Sequence, residues 1–99
     1  VKRTPLRPRS KKREVLYRTQ RRPLVAEILE ERPTCEIRFD ENCTGRATCL
    51  HEKRKRSQGG SLLDRANLMA SCAYCNSAVE DHPIEAHERG FVIRRGDAA

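Results

Sequence analysis

The chain has 99 residues, with 21 Lys plus Arg against 14 Asp plus Glu, 36% hydrophobic residues, two Tyr, two Phe and no Trp. That length holds one small domain, and so polar a composition excludes a large apolar core, leaving a metal, disulfides or a partner to hold the shape. No apolar run reaches bilayer length and no signal-peptide stretch follows the basic N-terminus, so the expectation is a soluble, cytoplasmic protein with no membrane partner.

Charge divides the chain. Residues 1–22 carry ten basic residues and one acid, net +9, whereas the remainder carries eleven basic against thirteen acidic, net −2. Residues 1–13 therefore read as a flexible basic arm whose partner is a polyanion, with Lys11, Lys12 and Arg13 as phosphate contacts. Residues 14–33 form an N-terminal helical segment. Within it Pro23–Arg32 is a helix, opened by a proline in its first turn, with Leu24, Val25, Ile28 and Leu29 on one face and Pro33 as its stop. That face is read as a lid over the core.

The spacing predicts a turn-rich loop over Thr34–Gly45 and a strand over Ala47–Glu52. A polar loop follows, with Lys53, Arg54, Lys55 and Arg56 in succession before Gly59-Gly60; such a loop is either a phosphate contact or a solvated surface. Asp64–Ser71 leads into Cys72, Asn76–Asp81 reads as a helix ended by His82-Pro83, and a second short helix covers Ile84–Arg89. Gly90 breaks that helix, and Phe91–Ile93 has the character of a final strand. His82 and His87 are assigned to solvent or capping, Arg94 and Arg95 to surface charge, and residues 96–99 to a tail.

Five cysteines are an odd number, and Cys72-x-x-Cys75 in a reducing compartment points to a thiolate site for zinc before it points to disulfides. Zinc takes four ligands in a tetrahedron, commonly from two loop-borne pairs. Cys35 and Cys43 are the expected second pair, because Cys49 lies beside the predicted strand. No thioredoxin-like βαβ pattern surrounds the C-x-x-C, which favours a structural metal over redox work.

From Cys35 to Val92 the chain resembles the HNH endonuclease family, especially its small zinc-containing bacteriophage members. The resemblance is carried by Cys35-x7-Cys43, Leu50-His51-Glu52, Arg56-Ser57-Gln58-Gly59-Gly60, Asn67-Leu68, Cys72-x-x-Cys75, Asn76 and Glu80; Thr4-Pro5-Leu6-Arg7 is also similar to phage members. It implies a small α+β fold over residues 34–95, in which a ββα-metal motif grips a catalytic metal and Cys35, Cys43, Cys72 and Cys75 hold structural zinc. It also implies that His51 binds the catalytic metal and Glu52 is the general base, or that Glu52 is a ligand and His51 the base. Asn76 and Glu80 would complete the metal set for magnesium or manganese, and Asn67 would tie the loop to the hairpin and orient the base. Many relatives have a histidine at the position of Glu52 and His-x3-His where this chain has Asn76 and Glu80. The i, i+4 spacing still puts both replacements on one helical face.

Bland readings stand beside these. His51 also suits a strand-surface histidine or a zinc ligand, Glu52 and Glu80 suit solvated acids, Asn76 suits a helix N-cap and Asn67 a turn. The expected function is metal-dependent hydrolysis of double-stranded DNA with low sequence specificity. The alternatives are an inactive HNH-fold DNA-binding protein and a platform for phage DNA-processing or packaging proteins.

Overall fold

The computed structural model describes residues 10–97. The first nine residues of the expected arm and the last two of the expected tail thus lie outside the described residues. The architecture is a small α+β fold with a two-stranded antiparallel sheet and, among the described residues, four α-helices.

Helix α1 spans Lys11–Leu16, so the end of the segment expected to be arm is helical. Ser10 explains the early start, since its side chain caps the Arg13 N–H at 3.2 Å. A π-helical turn over Tyr17–Arg21 then joins α1 to α2, Arg22–Glu31. Pro23 therefore sits in the first turn of α2 without starting the helical run, which begins at Lys11. A proline cannot donate to the preceding turn, and the widened turn passes this defect by bonding the Arg22 N–H to the Tyr17 carbonyl, five residues back.

Helix α2 is a lid over the sheet, with its one buried residue, Ile28, outside the cysteine-lined cluster. It packs on β1 and buries Ile28 completely, while Arg65 grips Glu27 and Glu31, each at 2.9 Å. Pro33 follows its end, and the next segment doubles back through a bridge between Thr34 and Arg46. Cys35 N–H to Gly45 O at 2.9 Å and Ala47 N–H to Pro33 O at 2.8 Å close the base of this loop.

Strand β1, Cys49–Glu52, pairs with β2, Leu68–Ser71, with His51 opposite Met69 and Glu52 opposite Leu68. Period-two alternation sends His51 and Met69 to one face, Leu50 and Glu52 to the other. Helix α3, Ala73–Asp81, starts three residues before the expected Asn76, because the Cys72 sulfur accepts the Cys75 N–H and caps it. Helix α4 spans Pro83–Glu88. One core cluster joins Cys35, Ile37, Phe39, Cys72, Cys75, Ala78, Val79 and Ala86. The metal-capable loops are thus part of this cluster, while Ile28, Ala47, Leu62, Leu68 and Ala70 are buried outside it.

The expected strand over Phe91–Ile93 does not form. Phe91 and Val92 pack against the core, but the Ile93 N–H bonds Lys53 O at 2.7 Å, just beyond the end of β1, and no ladder forms. Their apolar character reflects burial, which periodicity cannot distinguish from pairing in so short a run.

Candidate metal centre and adjoining cleft

Cys35, Cys43, Cys72 and Cys75 bring their sulfurs within 4.8 Å of one another, and among the described residues they are the one such cluster of three or more His, Cys, Asp or Glu. Tetrahedral zinc at about 2.3 Å from each thiolate needs sulfurs about 3.8 Å apart. Cys43 and Cys72 are already at 3.9 Å, and three of the four residues are buried. The donor set fits zinc in number, softness and spacing.

The loops that carry these thiols also supply N–H groups to them. Phe39 donates to Cys75 at 3.4 Å, Gly45 to Cys43 at 3.4 Å and Cys75 to Cys72 at 3.3 Å. Burial opposes ionisation of Cys72, but the Cys75 N–H and the Thr44 backbone and hydroxyl outweigh it and bring the thiol down to about 6. Burial pushes the Cys75 thiol up. Against its burial, backbone hydrogen bonds also lower Cys35, whereas Cys43 is raised, so the cluster mixes thiols that ionise readily with thiols whose protons metal binding must release. Tyr74 stiffens the loop by donating to Asp40 at 2.7 Å, which holds that carboxyl below its usual range and the phenol above its own. Cys49 stands apart, with its sulfur donating to the Ser71 carbonyl at 3.3 Å.

The turn after Cys75 opens onto a second feature. An open cleft of about 490 Å³ is lined by His51 and Glu52 from β1, Asn76 and Glu80 from α3, Lys55 and Arg56 from the basic loop, and Arg13 from α1, with Leu50 and Ser57 between them. Asn76 is an interior residue of α3, and its expected alternative role as an N-cap is filled by Cys72.

His51 is 3% exposed, and its Nε2 lies 2.6 Å from the Phe91 carbonyl. A carbonyl oxygen only accepts, so Nε2 carries the proton and Nδ1 of the neutral ring keeps its lone pair. No described side-chain nitrogen or oxygen is both sealed and unpartnered. His51 lines the cleft, and Nδ1 is the ring nitrogen left for it once Nε2 is committed to the Phe91 carbonyl. The readings of His51 as a surface histidine or a zinc ligand are excluded by its burial and by the separate cysteine cluster.

Glu52 is held differently. Its carboxylate lies 3.5 Å from Arg21, with side chains 22% and 11% exposed respectively, so it is no freely solvated acid. Glu80 is ion-paired to Lys55 at 2.6 Å, half exposed. His51, Glu52 and Glu80 share the cleft without forming a second cluster tight enough to hold a metal by themselves.

The frame around the cleft rests on Asn67. Its Oδ1 accepts the Arg54 N–H at 2.8 Å, and its Nδ2 donates to the Arg54 and Ser61 carbonyls at 2.9 and 3.1 Å. This side chain ties the basic loop to the hairpin, as expected. Gly59 takes φ +89° to end a 3₁₀ turn over Arg56–Gln58, and a Cβ on Gly60 would fall 1.7 Å from the Arg54 carbonyl oxygen. The Gly-Gly pair is thus a steric requirement of the loop.

Of the basic residues expected to meet phosphate, Lys55, Arg56 and Arg13 reach the cleft. Lys53 and Arg54 do not line it, and Arg54 instead donates to Gln58 O at 3.3 Å. Lys11 is exposed on α1, and Lys12 lines a separate groove along that helix. Three contributors carried no legible signal. Arg21 was one basic residue in a charged run; Arg95, expected to be surface charge, bonds Gln58 Oε1 and Ser57 O; and His87, expected at solvent or a cap, meets Asp97 at 2.9 Å. Each depends on the chain folding back over many residues. His82 is exposed and caps the end of α3, as expected, with its ring stacked on Phe39 at 5.7 Å.

Among the described residues no helix is long and apolar enough to cross a membrane. No protein-family model, curated protein or solved structure matches the chain.

Proposed function

We propose that this chain is a metal-dependent endonuclease of the HNH type, stapled by structural zinc on Cys35, Cys43, Cys72 and Cys75, which hydrolyses phosphodiester bonds in double-stranded DNA with low sequence specificity. The observation that carries the reading is the meeting, in one open cleft, of an imidazole with its lone pair available, oxygen donors on two elements, and three cationic side chains.

In this reading His51 is the general base. Its Nε2 proton is committed to the Phe91 carbonyl, so Nδ1 takes the proton of a water attacking phosphorus while the bond to the leaving oxygen breaks. Glu52, engaged by Arg21, joins Asn76 and Glu80 as an oxygen donor, a set suited to magnesium or manganese. Such an ion, when bound, stabilises charge on the phosphate and the leaving oxygen. Lys55, Arg56 and Arg13 draw the backbone in, and contacts with phosphate carry no base information. Low sequence specificity follows.

The test is nicking of supercoiled plasmid by zinc-loaded protein with magnesium, manganese or chelator, comparing wild type with His51→Ala. Cleavage that requires added metal and falls by about 10²-fold or more in the variant supports the reading. The second reading, a DNA-binding derivative without hydrolysis, draws on the Lys55–Glu80 pair, which already occupies one oxygen donor. Salt-sensitive DNA binding with no cleavage under any metal would favour it.

A further inference from the structure

Residues 91–97 form no regular element, yet they bond the frame of the cleft at several points. Gly90 at φ +83° turns the chain back after α4. From there the segment crosses the end of the hairpin and is fixed at successive points. The Phe91 carbonyl receives His51 Nε2 at 2.6 Å, and the Ile93 N–H bonds Lys53 O at 2.7 Å. The Arg95 N–H bonds Gln58 Oε1 at 3.1 Å and its guanidinium bonds Ser57 O at 3.2 Å. Asp97 Oδ2 closes the loop, accepting from the Arg94 N–H at 2.6 Å and from His87 at 2.9 Å.

We propose that residues 91–97 are a strap that positions the reacting imidazole. The Phe91 carbonyl fixes the proton of His51 on Nε2 and so aims the Nδ1 lone pair into the cleft, while the Asp97 clasp to α4 keeps that carbonyl in place. Which nitrogen of a buried histidine carries the proton is set by what the other meets, and the partner here comes from the strap and from no strand of the sheet. The same segment braces Ser57 and Gln58, so the imidazole and the basic loop share one support. Asp97 and the Phe91 carbonyl are positioning groups, acting through His51. The inference rests on the endonuclease reading for its consequence in rate, but the location of one proton is measurable without any activity.

The experiment uses the zinc-loaded chain at pH about 8, above the ordinary imidazole range, with nitrogen-15 spectra of the histidine rings. Wild type is expected to show the His51 Nε2 proton protected from water exchange, with Nδ1 unprotonated. Asp97→Ala should keep its zinc while that proton exchanges at least about tenfold faster, and nicking should fall about ten- to a hundredfold with DNA affinity unchanged. Asp97→Asn, which retains an acceptor for Arg94 and His87, should restore both. If Asp97→Ala loses the fold, Ile93→Pro deletes the bond to Lys53, and Ile93→Ala, which keeps the N–H, is its control. A proton found on Nδ1 in wild type, or wild-type protection in a folded Asp97→Ala, would overturn the strap. Should the wild type cleave nothing, the ring spectra still decide the strap, and only the endonuclease reading falls.

Discussion

Helix α3 serves two sites that differ in every physical respect. At its first turn Cys72 and Cys75 face Cys35 and Cys43 inside the core, four donors of one kind with no competing cation. One turn further, Asn76 and Glu80 face an open cleft where His51, Glu52 and Glu80 each already have a partner: the Phe91 carbonyl, Arg21 and Lys55. A closed set of soft donors holds its ion permanently and folds around it. Hard donors in an open cleft exchange their ion and substrate, so they are kept in place by neighbours that a ligand can displace. On the proposed reading, the first site is the structural one and the second the working one.

Metal removal should separate the two most strongly. Structural zinc in small domains contributes about 10–16 kcal/mol, comparable to the whole stability of a domain. Stripping zinc, or Cys72→Ser, is therefore expected to abolish cooperative thermal unfolding, followed by circular dichroism with zinc quantified. Cys49→Ser removes a sulfur outside the cluster and should cost about 1 kcal/mol or less while retaining zinc. Zinc loss from Cys49→Ser, or its retention in Cys72→Ser, would break the comparison.

Next in size are changes to the frame between the sites. Gly60→Ala drives a Cβ against the Arg54 carbonyl, and relieving a backbone clash of that kind costs on the order of 3 kcal/mol. Asn67→Ala leaves two carbonyls and one N–H without partners in a half-buried setting, for about 2–4 kcal/mol. Both variants should keep zinc in metal analysis yet unfold at lower denaturant, with the loop over residues 53–61 losing hydrogen-exchange protection first. Equal loss of protection at Cys35 and Cys75 would mean that the sites are not separable.

The cysteine site was legible because its chemistry belongs to residue type. Cys72-x-x-Cys75 and Cys35-x7-Cys43 announce a soft site before any fold is known, and Cys49 fell outside it as expected. The i, i+4 placement of Asn76 and Glu80 was also readable, since it is a local matter, whereas the loop-tying role of Asn67, whose partner Arg54 lies 13 residues away, came from the family resemblance. What escaped was local in one case and made by the chain folding back in the others. The charge of residues 11–13 suggested an arm, yet Ser10 caps a helix there. Phe91–Ile93 looked like a strand because burial and pairing favour the same residues. Arg21, His87 and Arg95 acquire partners 31, 10 and 37 residues away respectively, and nothing local marks them.

The smallest expected change in stability bears most directly on the cleft. The Lys55–Glu80 pair is short, at 2.6 Å, but both side chains are 51% exposed, and exposed pairs contribute about 0–1 kcal/mol. Lys55→Ala should therefore leave thermal unfolding almost unchanged. It would nevertheless remove the cation that competes for an oxygen donor, so manganese titrated into the zinc-loaded protein should bind several-fold more tightly, with Glu80→Gln binding more weakly than wild type. Lys55 also attracts phosphate, so the same variant should weaken DNA binding and flatten its salt dependence by about one counterion. Tighter metal with weaker DNA is the signature of a residue that exchanges partners, leaving Glu80 as phosphate arrives. If neither changes in Lys55→Ala, the pair is ordinary surface charge, and Glu80 loses its claim to the metal.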